Sequence, residues 1–222
     1  MNDQISPSDF HASTGVEDWR VVGDGACAYF ATPSFEVATR FVAAIGRLDG
    51  AASHPPDIDV RSDGVTVRLV TRSAEWYGMS ARDADVAAAI SSAAHDLGLT
   101  GDPSQVQSYL VVPGAPETSA IIPFWRAVLG YEPRPDSPDE DLVDPHDRGP
   151  GFWFERMREP RGDGGGAIHF AVWVPPEQAE ARVRAAVAAG GRIVRDEYAP
   201  SWWTLADAAG NEADVATIQG RD

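Results

Sequence analysis

The side chains that could exchange a proton or act as a nucleophile near neutral pH are few in this 222-residue chain. It has five histidines, one cysteine and no lysine, so all 18 basic residues are arginine. The missing lysine excludes a Schiff base and a Walker-type phosphate loop. Cys27 alone cannot form an internal disulfide, a zinc thiolate site or an iron–sulfur site. Catalysis is therefore confined to histidine and carboxylate acid–base chemistry, or to a metal bound through oxygen and imidazole.

His54 is the first candidate for acid–base chemistry. It stands in the turn Ser53-His54-Pro55-Pro56, directly before an extended segment that begins at Asp57. Imidazole titrates near neutral pH and can either give or take a proton. The carboxylates of Asp59 and Asp83 could assist it. The alternative is that His54 is simply an exposed turn residue.

A second set of candidates comes from an internal duplication in the second half. Residues 107–113 resemble residues 169–175: a polar residue starts a strand, apolar residues follow three and five positions later, and a proline ends it. Each strand leads into a predicted helix, 121–129 and 177–189, and each module closes with Gly-x-x-x-acid. We therefore predict two β-α-β-β-β modules, joined by the glycine-rich residues 161–166. The duplicated polar positions are Gln107, Glu155, His169 and Asp214.

The elements of the first half follow from periodicity and caps. Short strands are predicted at 19–22 and 28–31, and a helix with Phe35 on its apolar face follows Ser34. A hairpin spans 57–70, and Ser80 opens a second helix. The order ββαββα predicts an α+β domain, an antiparallel sheet with helices on one face. Because a helical pattern ends in glycine and proline near residue 102, we expect two domains, 1–102 and 103–222.

The charge balance limits the partners. The chain carries 34 acidic residues against 18 arginines, a net charge of −16. Such a surface repels phosphate backbones and anionic lipids, so we expect no nucleic-acid or membrane partner. The N-terminus has no basic, apolar leader, and no run reaches about 20 apolar residues, which predicts a cytoplasmic protein. The six acids between Asp136 and Asp147 are interpreted as a solvated loop.

The first half resembles the pterin-4a-carbinolamine dehydratase family over essentially its whole length. The resemblance rests on Asp18-Trp19-Arg20-Val21, on the segment from Ser53 to Val60, on Val65 to Thr71, and on Gly78-Met79-Ser80-Ala81-Arg82-Asp83. It implies the α+β fold already predicted. It also implies a lyase that removes water from the 4a-carbinolamine of a pterin, or of a related heterocycle.

The resemblance also assigns site residues. The family signature has a His-His-Pro turn, a Thr-His pair at a strand end, and an acid that opens a helix. Aligned without gaps, it places His54 on the first histidine, Pro55 on the second and Arg72 on the third, while Asp83 matches the acid. The implied catalytic residues are therefore His54, Asp83 and Arg72. Arg72 cannot exchange a proton at physiological pH, but it could hold an anion or a carbonyl oxygen.

The second half, about residues 105–219, resembles the vicinal-oxygen-chelate superfamily of glyoxalases, extradiol dioxygenases and bleomycin-type resistance proteins. The matching motifs are residues 124–131, Ala167-Ile168-His169-Phe170 and residues 205–212. The resemblance implies paired modules and a divalent metal (Zn, Ni, Mn or Fe) on Gln107, Glu155, His169 and Asp214, in a set similar to that of glyoxalase I. Alternatively, His169 is a buried, hydrogen-bonded core residue.

Three functions stay open on the sequence. The first is a carbinolamine dehydratase fused to a glyoxalase-like domain. The second is a metal-dependent isomerase or lyase in the second domain, with Glu155 as both ligand and base. The third is a non-catalytic protein that binds a flat organic molecule among Trp153, Trp173, Trp202 and Trp203, although such aromatics can also be core or interface residues. In each case we expect a small-molecule ligand and a homodimer.

Overall fold

The computed structural model of the chain describes residues 3–157, 168–206 and 212–221, without the side chains of Phe124, Ala127 and Val128. It forms two compact units. The first comprises the described residues up to Arg72, Tyr77–Gln107 and those from Gly220, and the second comprises Ser73–Trp76 and the described residues of Ser108–Gln219. Within these described ranges no helix is both long and apolar enough to span a bilayer.

The first unit is an antiparallel four-stranded sheet with helices packed on it. The sheet order is β1-β2-β4-β3, and a separate two-stranded hairpin is formed by β5 and β6. The elements are α1 (Pro7–Ala12), β1 (Arg20–Val22), β2 (Gly25–Ala31), α2 (Phe35–Ile45), β3 (Asp57–Val60), β4 (Gly64–Leu69), β5 (Thr71–Arg72), β6 (Tyr77–Gly78) and α3 (Ala81–Asp96).

Alternation along the strands builds the core of this unit. Phe30 pairs with Val65 across β2 and β4, and both side chains are fully buried. The ring of Phe41 on α2 meets the ring of Phe30 edge to face, with centroids 5.0 Å apart. Because successive strand residues point to opposite faces, this contact places α2 on the buried face of the sheet. The predicted α+β class is confirmed.

Two local features differ from the sequence prediction. Helix α1 and the β5–β6 hairpin are additional elements. Phe35, expected on the apolar face of α2, is 58% exposed. It is the first residue of the helix, directly after the Ser34 N-cap, whereas the buried residues of the helix begin at Ala38.

The second unit contains the predicted pair of modules. The first module is β7 (Ser108–Ala115), α4 (Ile122–Leu129), β8 (Glu132–Pro133), β9 (Asp141–Val143) and β10 (Gly151–Trp153), which continues as β11 (Glu155–Arg156). The second is β12 (Ile168–Trp173), α5 (Pro176–Ala188), β13 (Arg192–Arg195), β14 (Trp202–Ala206) and β15 (Glu212–Ala216). Of the predicted joint and motifs, residues 158–167 and 207–211 lie outside the described part of the chain.

One sheet unites the two modules, in the order β13-β14-β15-β12-β7-β10-β9-β8, with β11 also beside β7. The modules meet where β7 and β12 pair antiparallel. Helix α4 covers a cluster that includes Val111 and Phe152, and α5 covers a cluster that includes Leu205 and Val215. Both helices therefore lie on the same face of the sheet. We call the opposite face, which carries His169 and neither of these two helices, the helix-free face.

The acidic segment 136–147 is more ordered than a solvated loop. Leu142 within it is fully buried in β9, and Asp144 is also buried. The Asp144 carboxylate accepts hydrogen bonds from the backbone N–H groups of His146 and Arg148 and from the Arg148 guanidinium. These bonds, the guanidinium bond first, lower the pKa of Asp144 from 3.8 to about 2.

This shift predicts a pH-dependent contribution to stability. A depressed carboxyl pKa stabilises the fold above the unfolded-state pKa, and the effect is lost as pH falls from about 4 to about 2. We expect Asp144→Asn to melt below the wild type at pH 7, with the gap closing by pH 2. Thermal unfolding at several pH values measures this, and Asp139→Asn, an exposed acid of the same segment, is the control. A gap independent of pH would contradict it.

Candidate functional site

The candidate site of the first unit is built around the carboxylate of Asp83, which is fully buried. Asp83 is the third residue of α3, and it forms a reciprocal capping box with Ser80, the N-cap. The Ser80 side chain accepts the Asp83 N–H, and Asp83 Oδ2 accepts the Ser80 N–H at 2.7 Å. A carboxylate at this end of a helix is also favoured by the helix dipole.

Three further contacts complete the surroundings of this carboxylate. Asp83 Oδ2 accepts hydrogen bonds from the hydroxyls of Thr71 and Ser80, each at 2.7 Å. Asp83 Oδ1 lies 2.6 Å from His54 Nε2. His54 reaches it from the turn before β3, where its backbone N–H donates to the Gly50 carbonyl at 3.0 Å. A turn, a hairpin strand and a helix end therefore meet at one carboxyl group.

This arrangement defines what His54 can do. A carboxylate that accepts donors on both oxygens leaves Nε2 as the donor in the His54 contact, and Nδ1 then carries a lone pair. The His54 side chain retains 13% exposure, whereas Asp83 has none. His54 can therefore take a proton at Nδ1, and Asp83 stabilises the resulting imidazolium. The structure thus brings together two of the three predicted catalytic residues.

Arg72 is not part of this network in the described contacts. Its guanidinium donates to Asp57 Oδ2 at 2.8 Å, and Arg68 lies 3.8 Å from the same carboxylate oxygen. Thr71 and Arg72 are consecutive strand residues, so their side chains point to opposite sides of β5. Asp59, the other carboxylate considered beside His54, pairs with Arg61 instead.

Cys27 has no catalytic setting. It lies buried in β2, and burial, the largest cause, raises the pKa of its thiol to about 11. At neutral pH the group is a thiol, which is a poor nucleophile.

In the second unit the structure pairs His169 with Asp214. His169 Nε2 lies 3.4 Å from Asp214 Oδ2, and both side chains are less than one-fifth exposed. Asp214 Oδ1 and the Thr204 hydroxyl, on the neighbouring strand, are buried without a hydrogen-bond partner among the described residues. His169 is thus more buried than a freely accessible ligand.

The four predicted metal ligands do not fit one ion in the described register. Asp214 is level with Leu110 of β7 through Ala171, His169 is level with Val112, and Glu155 is level with Gly114. Gln107 precedes β7 altogether. The strand length from 107 to 114 is about 23 Å at 3.3 Å per residue, whereas ligand atoms must lie about 2 Å from a shared metal. Correspondingly, the described residues contain no group of three His, Cys, Asp or Glu suited to a metal ion.

The tryptophans predicted to surround a ligand divide between the two faces. Trp153 alternates with the buried Phe152, so it lies on the helix-free face, where it is 40% exposed. Trp173 and Trp202 occupy the same face by register. Trp203 instead packs against the core cluster under α5.

Sequence reasoning missed Thr71 and Ser80 as site residues. Ser80 and Asp83 show the spacing of a capping box, a local signal that could have tied Ser80 to the carboxylate. Thr71 stands at the threonine of the Thr-His pair in the family signature, but its contact with Asp83 depends on how the β5–β6 hairpin lies against α3.

Comparison with known proteins identifies relatives of the first unit. Residues 3–93 match the family model described as pterin 4 alpha carbinolamine dehydratase. Two proteins carry the description "Putative pterin-4-alpha-carbinolamine dehydratase". The one from Roseiflexus castenholzii is 40% identical over 72 residues, 32% of this chain and 75% of that protein. The one from Roseiflexus sp. (strain RS-1) is 34% identical over 91 residues, which are 40% of this chain and 96% of that protein.

The second unit matches a different family. Residues 110–216 match the family model described as glyoxalase-like domain. A solved structure of a glyoxalase/bleomycin resistance protein/dioxygenase superfamily member from Vibrio splendidus 12B01 is 19% identical. It covers 50% of this chain and 99% of its own, with a TM-score of 0.33. At that score the likeness carries no argument about the site.

The Asp83 network predicts the cost of its removal. Asp83→Ala leaves His54, Thr71 and Ser80 without their acceptor and removes half of the capping box, so unfolding free energy should fall by about 3 kcal/mol. Urea unfolding measures this. Asp85→Ala, an exposed acid on the same helix, is the control and should change stability by no more than about 0.5 kcal/mol. Equal losses in both variants would argue against the network.

Proposed function

Because the chain belongs to the pterin-4a-carbinolamine dehydratase family through its first unit, we propose that this unit dehydrates the carbinolamine of a pterin or a related nitrogen heterocycle. The observation that carries the proposal is the 2.6 Å contact between His54 Nε2 and the buried Asp83 carboxylate. It gives the site one oriented imidazole with Nδ1 available as a base. The fused glyoxalase-like unit belongs to the same chain.

The reaction needs two proton transfers that His54 can perform in turn. In a carbinolamine the hydroxyl and a ring nitrogen share one carbon. His54 Nδ1 takes the proton from the nitrogen, whose electron pair forms the C=N bond while the C–O bond breaks. The imidazolium then gives that proton to the departing hydroxyl, which leaves as water. Asp83 supports the charge that His54 carries between the two transfers.

The departures from the family signature define how this site differs. Pro55 has no titratable group, and the Arg72 guanidinium stays protonated, so neither can replace an imidazole. A single histidine must therefore act as both base and acid. Arg72, about one-third exposed, is paired with Asp57 on the other side of β5 from Thr71, so we assign it no step in the reaction.

A quinonoid-dihydropterin formation assay tests the proposal. The wild type should accelerate dehydration of a 4a-hydroxypterin, and His54→Ala should lower kcat by about a hundredfold or more, as expected when a general acid–base group is removed. His146→Ala, an exposed histidine of the second unit, is the control and should keep full activity. No acceleration by the wild type, or an active His54→Ala protein that is folded by circular dichroism, would refute the proposal.

As a second function, we propose that the second unit binds a flat organic ligand on its helix-free face. The supporting observation is Trp153, a large aromatic side chain 40% exposed on that face. Aromatic side chains suit stacking with planar heterocycles. Metal-dependent glyoxalase chemistry stays a prediction from the family resemblance. Because the described register does not bring its four residues together, we derive no step through a metal.

Trp153 gives this second function a direct readout. Titrating the protein with a pterin should quench tryptophan fluorescence, and Trp153→Ala should weaken the apparent affinity about tenfold by removing one stacking partner. Trp203→Phe, on the helix-covered face, is the control and should keep wild-type affinity. Elemental analysis of protein purified without chelators, made alongside the titration, measures whether the protein contains a divalent metal. Quenching unchanged in Trp153→Ala would contradict the proposed binding face.

A further inference from the structure

Thr71, Ser80 and Asp83 form a small triangle of oxygen atoms, in which Ser80 and Asp83 are buried and Thr71 is half-buried. Thr71 Oγ1, Ser80 Oγ and Asp83 Oδ2 are all 2.7 Å from one another. The two hydroxyls bring two protons to three oxygen–oxygen contacts. Because an ionised carboxylate can only accept, Thr71 and Ser80 each donate their hydroxyl proton to Oδ2, and the contact between the two hydroxyls then has no proton of its own.

The triangle determines what remains for His54. Oδ2 also accepts the Ser80 N–H at 2.7 Å, so this oxygen is occupied by the helix end and the hairpin. The other oxygen, Oδ1, is directed at His54 Nε2 at 2.6 Å. These hydrogen bonds to Oδ2 fix the orientation of the carboxyl group. The fixed acceptor Oδ1 then selects the imidazole tautomer of His54 that carries its proton on Nε2.

We propose that Thr71 is a positioning residue that, together with Ser80, fixes Asp83 and so keeps His54 in the tautomer with Nδ1 unprotonated. The proposal rests on the proposed dehydratase function, for which Nδ1 is the base. Ser80 is the N-cap of α3 and has that structural role whether or not His54 is present, whereas Thr71 comes from β5. The Thr71 hydroxyl is therefore the contact of this network that ties the hairpin to the acid–base pair.

The test compares Thr71→Val, which keeps the shape of the side chain and removes the hydroxyl, with Thr71→Ser, which keeps the hydroxyl. In Thr71→Val kcat should fall about tenfold to a hundredfold with KM nearly unchanged, because orientation is lost while the binding surface stays. Thr71→Ser should return kcat to within about threefold of the wild type. A purely structural role would not separate these two variants in kcat at equal melting temperature.

A second readout does not depend on turnover. In protein labelled with 15N-histidine, the His54 ring signals, assigned from the His54→Gln spectrum, report which nitrogen carries the proton at pH 8. The wild type and Thr71→Ser should show Nε2–H, and Thr71→Val should show a mixture of both tautomers. If the Thr71→Val protein does not fold, Thr71→Ala replaces it in both measurements.

The outcomes separate this proposal from the function it rests on. A His54 that keeps the Nε2–H tautomer in Thr71→Val, and equally in Thr71→Ala, overturns the positioning role even if the wild type is active. A mixed tautomer in those variants supports the role even if no dehydration is measured, in which case only the proposed function fails. Equal kcat in Thr71→Val and Thr71→Ser, in an active enzyme, also overturns it.

Discussion

A carboxylate removed from water must receive hydrogen bonds or ionic partners, and this requirement organises the first unit. Asp83 is fully buried, and its partners come from three separate stretches of chain: the turn that holds His54, the strand that holds Thr71, and the helix start at Ser80. The same carboxylate therefore caps the N-terminus of α3, accepts a hydrogen bond from the β5–β6 hairpin and orients the His54 imidazole. The proposed acid–base pair therefore uses contacts that also satisfy one buried charge.

Much of the first unit could be predicted from local signals. Alternation of apolar and polar residues in β4 predicted the sheet, and the N-caps Ser34 and Ser80 predicted the helices, because these signals act within a few residues. The pairing of His54 with Asp83 was within reach of a family signature. That signature also contains Thr71, but it does not show its contact with Asp83, since this contact depends on packing between a two-residue strand and a helix end that are separated by the hairpin turn. Arg72 lies in β5, a strand that was not predicted, and its partner Asp57 was not foreseen either.

The second unit shows a different limit. The repeated strand–helix pattern correctly predicted two modules, because periodicity reports which residues form strands. It does not report register. Gln107 was aligned with His169 as the start of a strand, yet it precedes β7, and His169 is level with Val112 further along. Gln107 is thus five residues from the level of His169 along the paired strands. That separation is about 16 Å, far more than two ligands of one metal ion tolerate.

The double use of Asp83 has a consequence for how chains of this kind change over time. A residue that both caps α3 and orients His54 is retained by selection for folding alone, because its loss destabilises the domain whether or not any substrate is turned over. His54 caps no helix, but it is the partner of Asp83 Oδ1, so its loss would leave one oxygen of the buried carboxylate without this donor. Selection for folding can therefore preserve the His54–Asp83 pair even in descendants that do not carry out the proposed reaction.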